Sequence, residues 1–277
     1  MAFNKQVELI ISDPSKTANV DISLMHIDFD IKRSITFSEN KANFTIYNLK
    51  QDTANKILKK GNFVTFRAGY EDEGLGDIFI GNISTSSYFR RGADTITEIN
   101  AIMNLGKAKR LDKVTFAGTY GKGILFSSVL KDLAKEANLS LVGIEKVTFT
   151  APNGGTFVGI FRNVLLECSK ILKPKGLGLF IDNNSLVIYE IGKQNSKFPT
   201  VRMEYKTGLL TANEIYEEVK GDKKRVIFTS IIVPKMQING LINFKSERIN
   251  GLFRIEKLHF FGNNYAESFN IDGECVA

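Results

Sequence analysis

The fold is decided by the stretch Gly61-Asn62-Phe63-Val64-Thr65-Phe66, because Gly240-Leu241-Ile242-Asn243-Phe244, near the other end of the chain, begins a similar pattern. Each stretch opens three strand-like segments that are separated by two breaks. The breaks lie at 71–76 and 90–94 in the first copy, and at 247–251 and 262–264 in the second. Each copy is therefore predicted to be a three-strand meander of about 40 residues.

Self-similarity in a fixed order is typical of a duplicated structural unit. Two equivalent units in one chain favour ring building, because three such chains would present six similar surfaces around an axis. A chance likeness between two ordinary β-meanders is the alternative.

The composition indicates a globular protein rich in strands. The chain has 277 residues, enough for two or three domains, of which 43% are apolar and 24% charged. Glycine, with 23 residues, clusters at the breaks between apolar runs, whereas proline numbers 5. Phenylalanine numbers 21 and tryptophan is absent, which fits half-buried sheet faces.

The net charge of +7 is compatible with a nucleic acid, a membrane surface or an acidic protein as partner. The basic residues are scattered, and the densest groups, 107–113 and 220–225, are short. Solvated loop charge is therefore the simpler interpretation, and a complementary acidic partner is the main alternative.

The cysteines and the N-terminal sequence favour a soluble protein made in a cytoplasm. Cys168 and Cys275 lie far apart in sequence, which is typical of buried free thiols in a reducing compartment. The first residues have no signal-peptide pattern. The longest strongly apolar stretch, 226–233, is too short to cross a bilayer as a helix.

The order of the predicted elements is a β-barrel, an α+β insert and a second β-barrel. In the first region, strands are predicted at 7–11, 27–33, 42–48, 63–70, 78–88 and 95–103, with a helix at 49–58 for which Asp52 and Thr53 supply cap chemistry. In the middle, helices are predicted at 122–138 and 156–172, and strands at 147–150, 177–181 and 186–191. In the last region, strands are predicted at 201–203, 215–219, 224–232, 241–245, 252–261 and 267–276. The domain boundaries expected from this order are 1–112, 113–199 and 200–277.

No set of residues predicts a catalytic, cofactor-binding or metal site. The loop Gly118-Thr119-Tyr120-Gly121-Lys122-Gly123 precedes a predicted helix, but it has neither Walker A nor GxGxxG spacing, so it is interpreted as a flexible lead into that helix. His26 and His259 form no recognised metal-ligand spacing with the two cysteines. Cys168 lies on the apolar stripe of a predicted helix, which favours burial over reactivity.

The remaining charged and aromatic patterns also have simple interpretations. Carboxylates occur together at Asp28/Asp30, at 71–73 and at Glu217/Glu218, but nothing indicates the apolar cleft that glycosidase acids require. The aromatic residues do not alternate with Lys or Arg, so core packing explains them better than base stacking. A chain with two barrels, a third domain and no active site favours an assembly protein.

Several motifs resemble the first domain of phage baseplate hub proteins. They are Ala42-Asn43-Phe44-Thr45-Ile46-Tyr47-Asn48-Leu49, then Gly61, then Ala68-Gly69-Tyr70, and then Ile78-Phe79-Ile80-Gly81-Asn82-Ile83. The last region is similar to the closing domain of the same family, through Thr207-Gly208-Leu209-Leu210 and the strands that follow it. One departure is Val233-Pro234, where the family often has Asn-Pro.

The resemblance implies a homotrimer in a tail baseplate, most often of a contractile tail, with two tube-type β-barrels per chain. The implied partners are other copies of the chain, the tail tube or its adaptor, the central spike protein and further baseplate proteins. Phage DNA would pass through the channel without specific binding, and neither a cofactor nor a membrane is implied. The chain would reside in the virion baseplate after synthesis in the host cytoplasm.

Symmetry explains why such a hub would carry a duplication. A trimer of duplicated chains is pseudo-six-fold where it meets a hexameric tube and three-fold where it meets a trimeric spike. A DNA channel should not be basic, so we expect most of the net positive charge to face outward or toward partners. The alternatives are a type VI secretion or contractile bacteriocin hub–spike component, a hub-like domain of a long non-contractile tail, and a cell-wall-degrading tail enzyme.

Overall fold

The computed structural model describes residues 4–14, 19–35, 40–59, 61–103, 114–151, 153–182, 185–191, 193, 199–216 and 224–277. The protein is mainly β, so the predicted fold class is confirmed at that level. The chain forms two compact units. Unit 1 comprises 1–34, 40–102 and 196–277, and unit 2 comprises 35–39 and 103–195.

The first part of unit 1 contains strands and one short helix. They are β1 Lys5–Ser12, β2 Asn19–Asp21, β3 Ile27–Ser34, β4 Lys41–Tyr47, α1 Gln51–Ile57, β5 Phe63–Tyr70, β6 Gly74–Arg91 and β7 Asp94–Ile102. Helix α1 is capped at Lys50 with no side-chain hydrogen bond, so the predicted cap chemistry at Asp52 and Thr53 was wrong. The predicted break at 71–76 is shorter than expected, because β6 already begins at Gly74.

Unit 2 packs two amphipathic helices against short strands. Its elements are β8 Thr115–Tyr120, β9 Ile124–Leu125, α2 Phe126–Glu136, β10 Ser140–Val142, β11 Thr150–Ala151, β12 Gly155–Ile160, α3 Phe161–Leu172, β13 Leu177–Asp182 and β14 Ser185–Glu190. The core combines the apolar faces of the helices, with Phe126 and Phe161, and strand residues such as Leu179 and Ile188. Strands β13 and β14 match the predicted strands 177–181 and 186–191 closely, and they pair antiparallel up to Asp182↔Ser185.

Both helices predicted in this unit were too long, since 122–138 is reduced to α2 and 156–172 to α3. Residues 156–160 belong to β12, which pairs along its whole length with β8, a strand that the sequence analysis missed. Val158, which the predicted helix would have placed on its apolar stripe, lies in β12 and is 66% exposed. The predicted strand at 147–150 is reduced to the two residues of β11. Among the residues that the structure describes, no helix is long and apolar enough to cross a membrane.

In the described residues, the second part of unit 1 contains six further strands and a short 3-10 helix at Tyr205–Thr207. The strands are β15 Val201–Met203, β16 Leu209–Tyr216, β17 Lys224–Ile231, β18 Leu241–Lys245, β19 Asn250–Asn263 and β20 Phe269–Val276. The predicted strand 215–219 instead begins at Leu209, and residues 217–219 lie outside the described part of the chain.

The two parts of unit 1 repeat one strand order. In the first, the neighbours in the sheet run β3-β4-β7-β6-β5-β1; in the second they run β16-β17-β20-β19-β18-β15. When the strands of each part are renumbered in chain order and the edge strand β2 is omitted, the two orders are identical. One difference is that β1 pairs antiparallel with β5, whereas β15 pairs parallel with β18. Shared topology gives the similarity seen in the sequence a structural basis.

The long central strand of each part has the same irregularity. Strand β6 passes from β5 to β7 at Asn82 and bulges at Ser84, and β19 passes from β18 to β20 at Arg254 and bulges at Glu256. In each case the bulge lies two residues after the change of partner. A bulge bends the strand and increases its twist, so both sheets turn at the same point.

A matching pair of backbone hydrogen bonds precedes each bulge. Ile83 N donates to the Asn62 carbonyl at 2.8 Å, and Gly61 N donates to the Ile83 carbonyl at 3.0 Å. In the second part, Ile255 N donates to Gly240 at 2.9 Å and Asn239 N donates to Ile255 at 3.0 Å. Both Gly61 and Asn239 have positive φ, the region that glycine and asparagine tolerate best.

The cores of the two parts contain equivalent aromatic pairs. The strand registers make Phe44 the counterpart of Phe228, and Phe66 the counterpart of Phe244. The ring centroids of Phe44 and Phe66 are 5.2 Å apart, and those of Phe228 and Phe244 are 5.4 Å apart. All four side chains are buried, so each pair contributes apolar burial and ring contact at the same place in its sheet.

We expect Phe44→Ala and Phe228→Ala to destabilise unit 1 by similar amounts, about 3–5 kcal/mol each, because each removes a buried ring and leaves a cavity. Thermal unfolding followed by far-ultraviolet circular dichroism measures the effect. The control is Leu24→Ala, since Leu24 is 92% exposed and such a change should cost less than about 0.5 kcal/mol. A Phe228→Ala variant as stable as the control would contradict the equivalence of the two cores.

Both cysteines are buried and carry free thiols. Burial raises the pKa of Cys168 to about 12 and raises that of Cys275 well above its usual value. Because the thiolate is the reactive form, neither thiol should react with a disulfide reagent at pH 8 in the folded protein, and both should react after denaturation. The measurement is the absorbance of the thiol that the reagent releases as it reacts with the protein, followed over time. A Leu24→Cys variant is the positive control and should react at once.

Candidate assembly interface

The two parts of unit 1 are joined by direct pairing of β3 with β19. We call this contact the internal joint, and define it as residues 28–34 of β3 paired antiparallel with residues 257–263 of β19, from Asp28↔Asn263 to Ser34↔Lys257. Phe29 and Ile31 lie buried on the same side as Leu258 and Phe260. The joint therefore continues both the hydrogen-bond ladder and the apolar core from one part into the other.

Polar side chains reinforce the other face of the internal joint. His259 Nε2 lies 2.8 Å from Asp30 Oδ2 across the two strands. Asn263 contacts both Asp28 and, at 2.6 Å, the Nε2 atom of His26. The sequence indicated no partner for either histidine, because the pairing of β3 with β19 cannot be read from local patterns.

Tyr47 and Asn264 extend this polar cluster. The Tyr47 hydroxyl donates to Asp28 Oδ2 at 2.7 Å, a hydrogen bond that raises the pKa of Tyr47. The ring of Tyr47 stacks on His26 with centroids 4.4 Å apart. The Asn264 side chain accepts from Ile27 N at 2.9 Å and donates to the Met25 carbonyl at 2.7 Å. These contacts link the end of β19 to the beginning of β3.

A buried arginine anchors the other end of the internal joint. Arg33, 2% exposed, donates through Nη1 to the Ile78 carbonyl at 3.1 Å and to Gln237 Oε1 at 3.0 Å. Ile78 belongs to the first part of the unit and Gln237 to the second. Because Nη1 donates to one acceptor in each part, the buried guanidinium links the two parts at this point.

Two glycines of the β5–β6 hairpin allow a close approach between the parts. A Cβ atom on Gly76 would lie 2.6 Å from the Pro234 carbonyl oxygen, and one on Gly69 would lie 2.9 Å from Pro234 Cγ. Gly69 is the glycine of the Ala68-Gly69-Tyr70 motif. Only glycine leaves room for Pro234 to pack against this hairpin.

Near this contact lies an open cavity of about 470 Å³. Its lining includes Asp72 and Glu73 from the first part of unit 1, and Arg202 and Lys235 from the second. The charges are mixed, so the cavity does not select an anion or a cation.

Two of the sheet edges that are open in the described residues lie on β6 and β16. The second half of β6, residues 85–91, pairs with β7 alone, and β16 pairs with β17 alone. Exposed apolar side chains lie on β16, where Leu210 is 47% and Ile215 is 39% exposed. Open edges of this kind are templates for pairing with another chain.

The residues considered for catalysis or metal binding are not brought together. In the loop 118–123, the first residues belong to β8, and the N–H of Phe126, which begins α2, already donates to the Phe149 carbonyl at 3.0 Å. The described residues contain no group of three side chains suited to a metal. Asp28 and Asp30 belong to the internal joint, and 71–73 form a turn. Three of the charged groups named above lie outside the described residues: Glu217/Glu218, the basic group 107–113, and residues 220–223 of the second basic group.

Solved structures of low sequence identity share this fold over almost the whole chain. A tail protein from Neisseria meningitidis MC58 matches with a TM-score of 0.69 and 9% identity, covering 99% of this chain and 97% of that one. The 43 kDa tail protein of prophage MuSo2 from Shewanella oneidensis matches with a TM-score of 0.64 and 11% identity, covering 99% and 98%.

A protein of a secretion system has the same fold. The E. coli c3393 protein, a component of the type VI secretion system described as similar to the bacteriophage T4 tail proteins gp27 and gp5, matches with a TM-score of 0.60 and 9% identity. The match covers 91% of this chain and 73% of that one. No curated protein sequence matches the chain.

The family model described as "Baseplate hub gp41" matches residues 6–275. This match spans both parts of unit 1 and all of unit 2, and it confirms the resemblance inferred from the motifs between Ala42 and Ile83. The chain belongs to the baseplate hub gp41 family.

Proposed function

We propose that this protein is the structural hub subunit of a phage tail baseplate, and that three copies form a pseudo-six-fold ring. The observation that carries the proposal is the repeated strand order of unit 1, with its matching bulges and aromatic pairs. A duplicated module lets three chains present six similar surfaces. In this proposal each part of unit 1 acts as a tube-type barrel domain, 1–112 and 200–277, and 113–199 is the domain that decorates the ring.

The ring would join a hexameric tail tube, or its adaptor, to a trimeric central spike. One face of such a ring has six similar units, whereas the faces built from unique residues keep three-fold symmetry. Further baseplate proteins would contact the outside of the ring. The subunit would have no enzymatic activity, would be made in the host cytoplasm and would reside in the virion.

The channel of the ring would conduct DNA without binding it. Phosphate backbones bind Lys and Arg strongly, so a basic wall would retain the genome. We therefore propose that acidic side chains predominate toward the channel and that most of the net charge of +7 faces outward or toward partners.

A hub–spike component of a type VI secretion or contractile bacteriocin particle is the second candidate. It is favoured by the shared fold with the E. coli type VI secretion protein. It would use the same ring, and the particle that contains the chain would distinguish the two.

We expect the purified chain to have three times the 30.9 kDa mass of one chain, or, if it assembles only on its spike, to be present in three copies in that complex. Light scattering coupled to size exclusion measures this mass. Electron microscopy of tail particles should place the subunit on the tail axis between tube and spike, with a channel wall rich in Asp and Glu. A stable monomer that cleaves cell wall would contradict the proposed function, and a wall ringed by Lys and Arg would contradict the proposed charge arrangement.

A further inference from the structure

The internal joint is a template for a contact that the single chain leaves unmade. Within the chain, the second half of β19 pairs with β3. The repeated strand order makes β6 the counterpart of β19, and β16 the counterpart of β3. The second half of β6 and the whole of β16 each have one sheet neighbour in the described residues. These two open edges are therefore equivalent to the two edges that already pair with each other.

The registers assign this equivalence residue by residue. The central strand changes partner at Asn82 in the first part and at Arg254 in the second, so these two residues are counterparts. The bulge lies two residues later in both strands. Counting on from it makes Ser87 the counterpart of His259. Lys41 pairs with Ile102, and Arg225 pairs with Val276. Lys41 and Arg225 are therefore counterparts in β4 and β17. Lys32 pairs with Lys41, and Ile215 pairs with Arg225, so Ile215 is the counterpart of Lys32.

We propose that β16 of one chain pairs antiparallel with residues 85–91 of β6 in a second copy, with Ile215 opposite Ser87. This register is transferred from the internal joint, in which His259 lies opposite Lys32. It also places Asn213 opposite Phe89. The proposal rests on the proposed function only for the number of chains; the contact itself rests on the duplicated topology.

The side chains of the two edges suit this register. Ser87, Asn213 and Ile215 are exposed, and Phe89 is half-buried, all on the outer face of their strands. Phe89 and Ile215 would become diagonal neighbours across the pair, and aromatic and β-branched side chains stabilise such positions. Pairing would also cover Ile215, an apolar side chain on an edge strand that otherwise favours nonspecific pairing.

The second copy is the occupant that the geometry favours. Each chain carries one edge of each kind, so copies add head to tail and every new contact repeats the form of the internal joint. A ring closes when the rotation between successive units adds to a full turn. A two-fold dimer does not satisfy both edges in this register, because the contact joins two different surfaces.

The register can be tested by disulfide cross-linking of the full-length chain. In a Ser87→Cys/Ile215→Cys variant, the two thiols would face each other across an antiparallel pair, within the roughly 4.4–6.8 Å Cα separation that a disulfide spans. We expect mild oxidation to give linked dimers and trimers on non-reducing gels, and each single variant to remain unlinked. Cys168 and Cys275 are buried and should not contribute.

The matched control is Thr85→Cys/Asn213→Cys. Both residues are exposed on the same outer face, but they are four positions out of register, about 13 Å apart. We expect the control to link about tenfold less, because that distance exceeds the reach of a disulfide. Equal linking of the two double variants, or none in either, would overturn the proposed register. Linking of an introduced thiol at position 87 or 215 to a different protein in assembled particles would assign the edge to that partner and would also overturn it.

A charge substitution tests the contact independently. We expect Ile215→Lys to reduce self-association while leaving the thermal unfolding midpoint unchanged, because it puts a charge on the proposed contact edge. Ile227→Lys is the control, since Ile227 is equally exposed at 39% but lies on β17, which has neighbours on both sides. Self-association unaffected by Ile215→Lys, or reduced equally by both changes, would contradict the contact.

These outcomes separate the inference from the proposed function. A trimer on the tail axis that shows no register-specific linking would retain the function and reject the contact. A chain that links through the Ser87/Ile215 pair but is absent from tail particles would retain the contact and reject the function. A chain that remains monomeric at all concentrations, and also with its spike, would reject both.

Discussion

The structure of unit 1 depends on the backbone pairing between β3 and β19. Strand edges carry unpaired N–H and C=O groups, and leaving these groups buried without partners is costly. The internal joint satisfies these groups along seven residue pairs, and it makes the two parts a single sheet. Two further contacts hold the parts together beside the joint. Arg33 donates to Ile78 and Gln237, and Pro234 packs against the glycines of the β5–β6 hairpin. Without this ladder, each part would expose one more open edge.

The repeat within unit 1 is clearer in geometry than in sequence. The bulges after Asn82 and Arg254, the backbone hydrogen bonds of Ile83 and Ile255, and the paired phenylalanines occupy equivalent positions. Other features differ between the parts: helix α1 precedes β5, whereas a turn that contains Pro234 precedes β18. Positions that fix strand direction and twist allow few alternatives, since a one-residue slip moves every side chain to the opposite face. Surface connections have more freedom.

The sequence predicted elements that depend on local patterns and missed those that depend on distant partners. Alternation predicted β3 and β4 almost to the residue, and the repeat after Gly61 and Gly240 indicated the shared meander. Residues 156–160 satisfied a helical stripe, yet pairing with β8 makes them a strand. The contacts of His259 with Asp30 and of Asn263 with Asp28 join residues more than two hundred positions apart. Only the resemblance to hub proteins, through motifs such as Ala68-Gly69-Tyr70, indicated the family.

The discontinuity of unit 1 has a consequence for biosynthesis. Residues 103–195 form most of unit 2, so the ribosome completes this segment before it makes β16 to β20. Strand β3 emerges early but must wait for its partner β19, and β19 is completed on its other side only by β20, at residues 269–276. During translation, the insert can therefore fold while the first half of the large sheet still has an unmatched edge. Nascent chains on neighbouring ribosomes would then present the same edge, which makes the timing of β19 synthesis a determinant of correct folding.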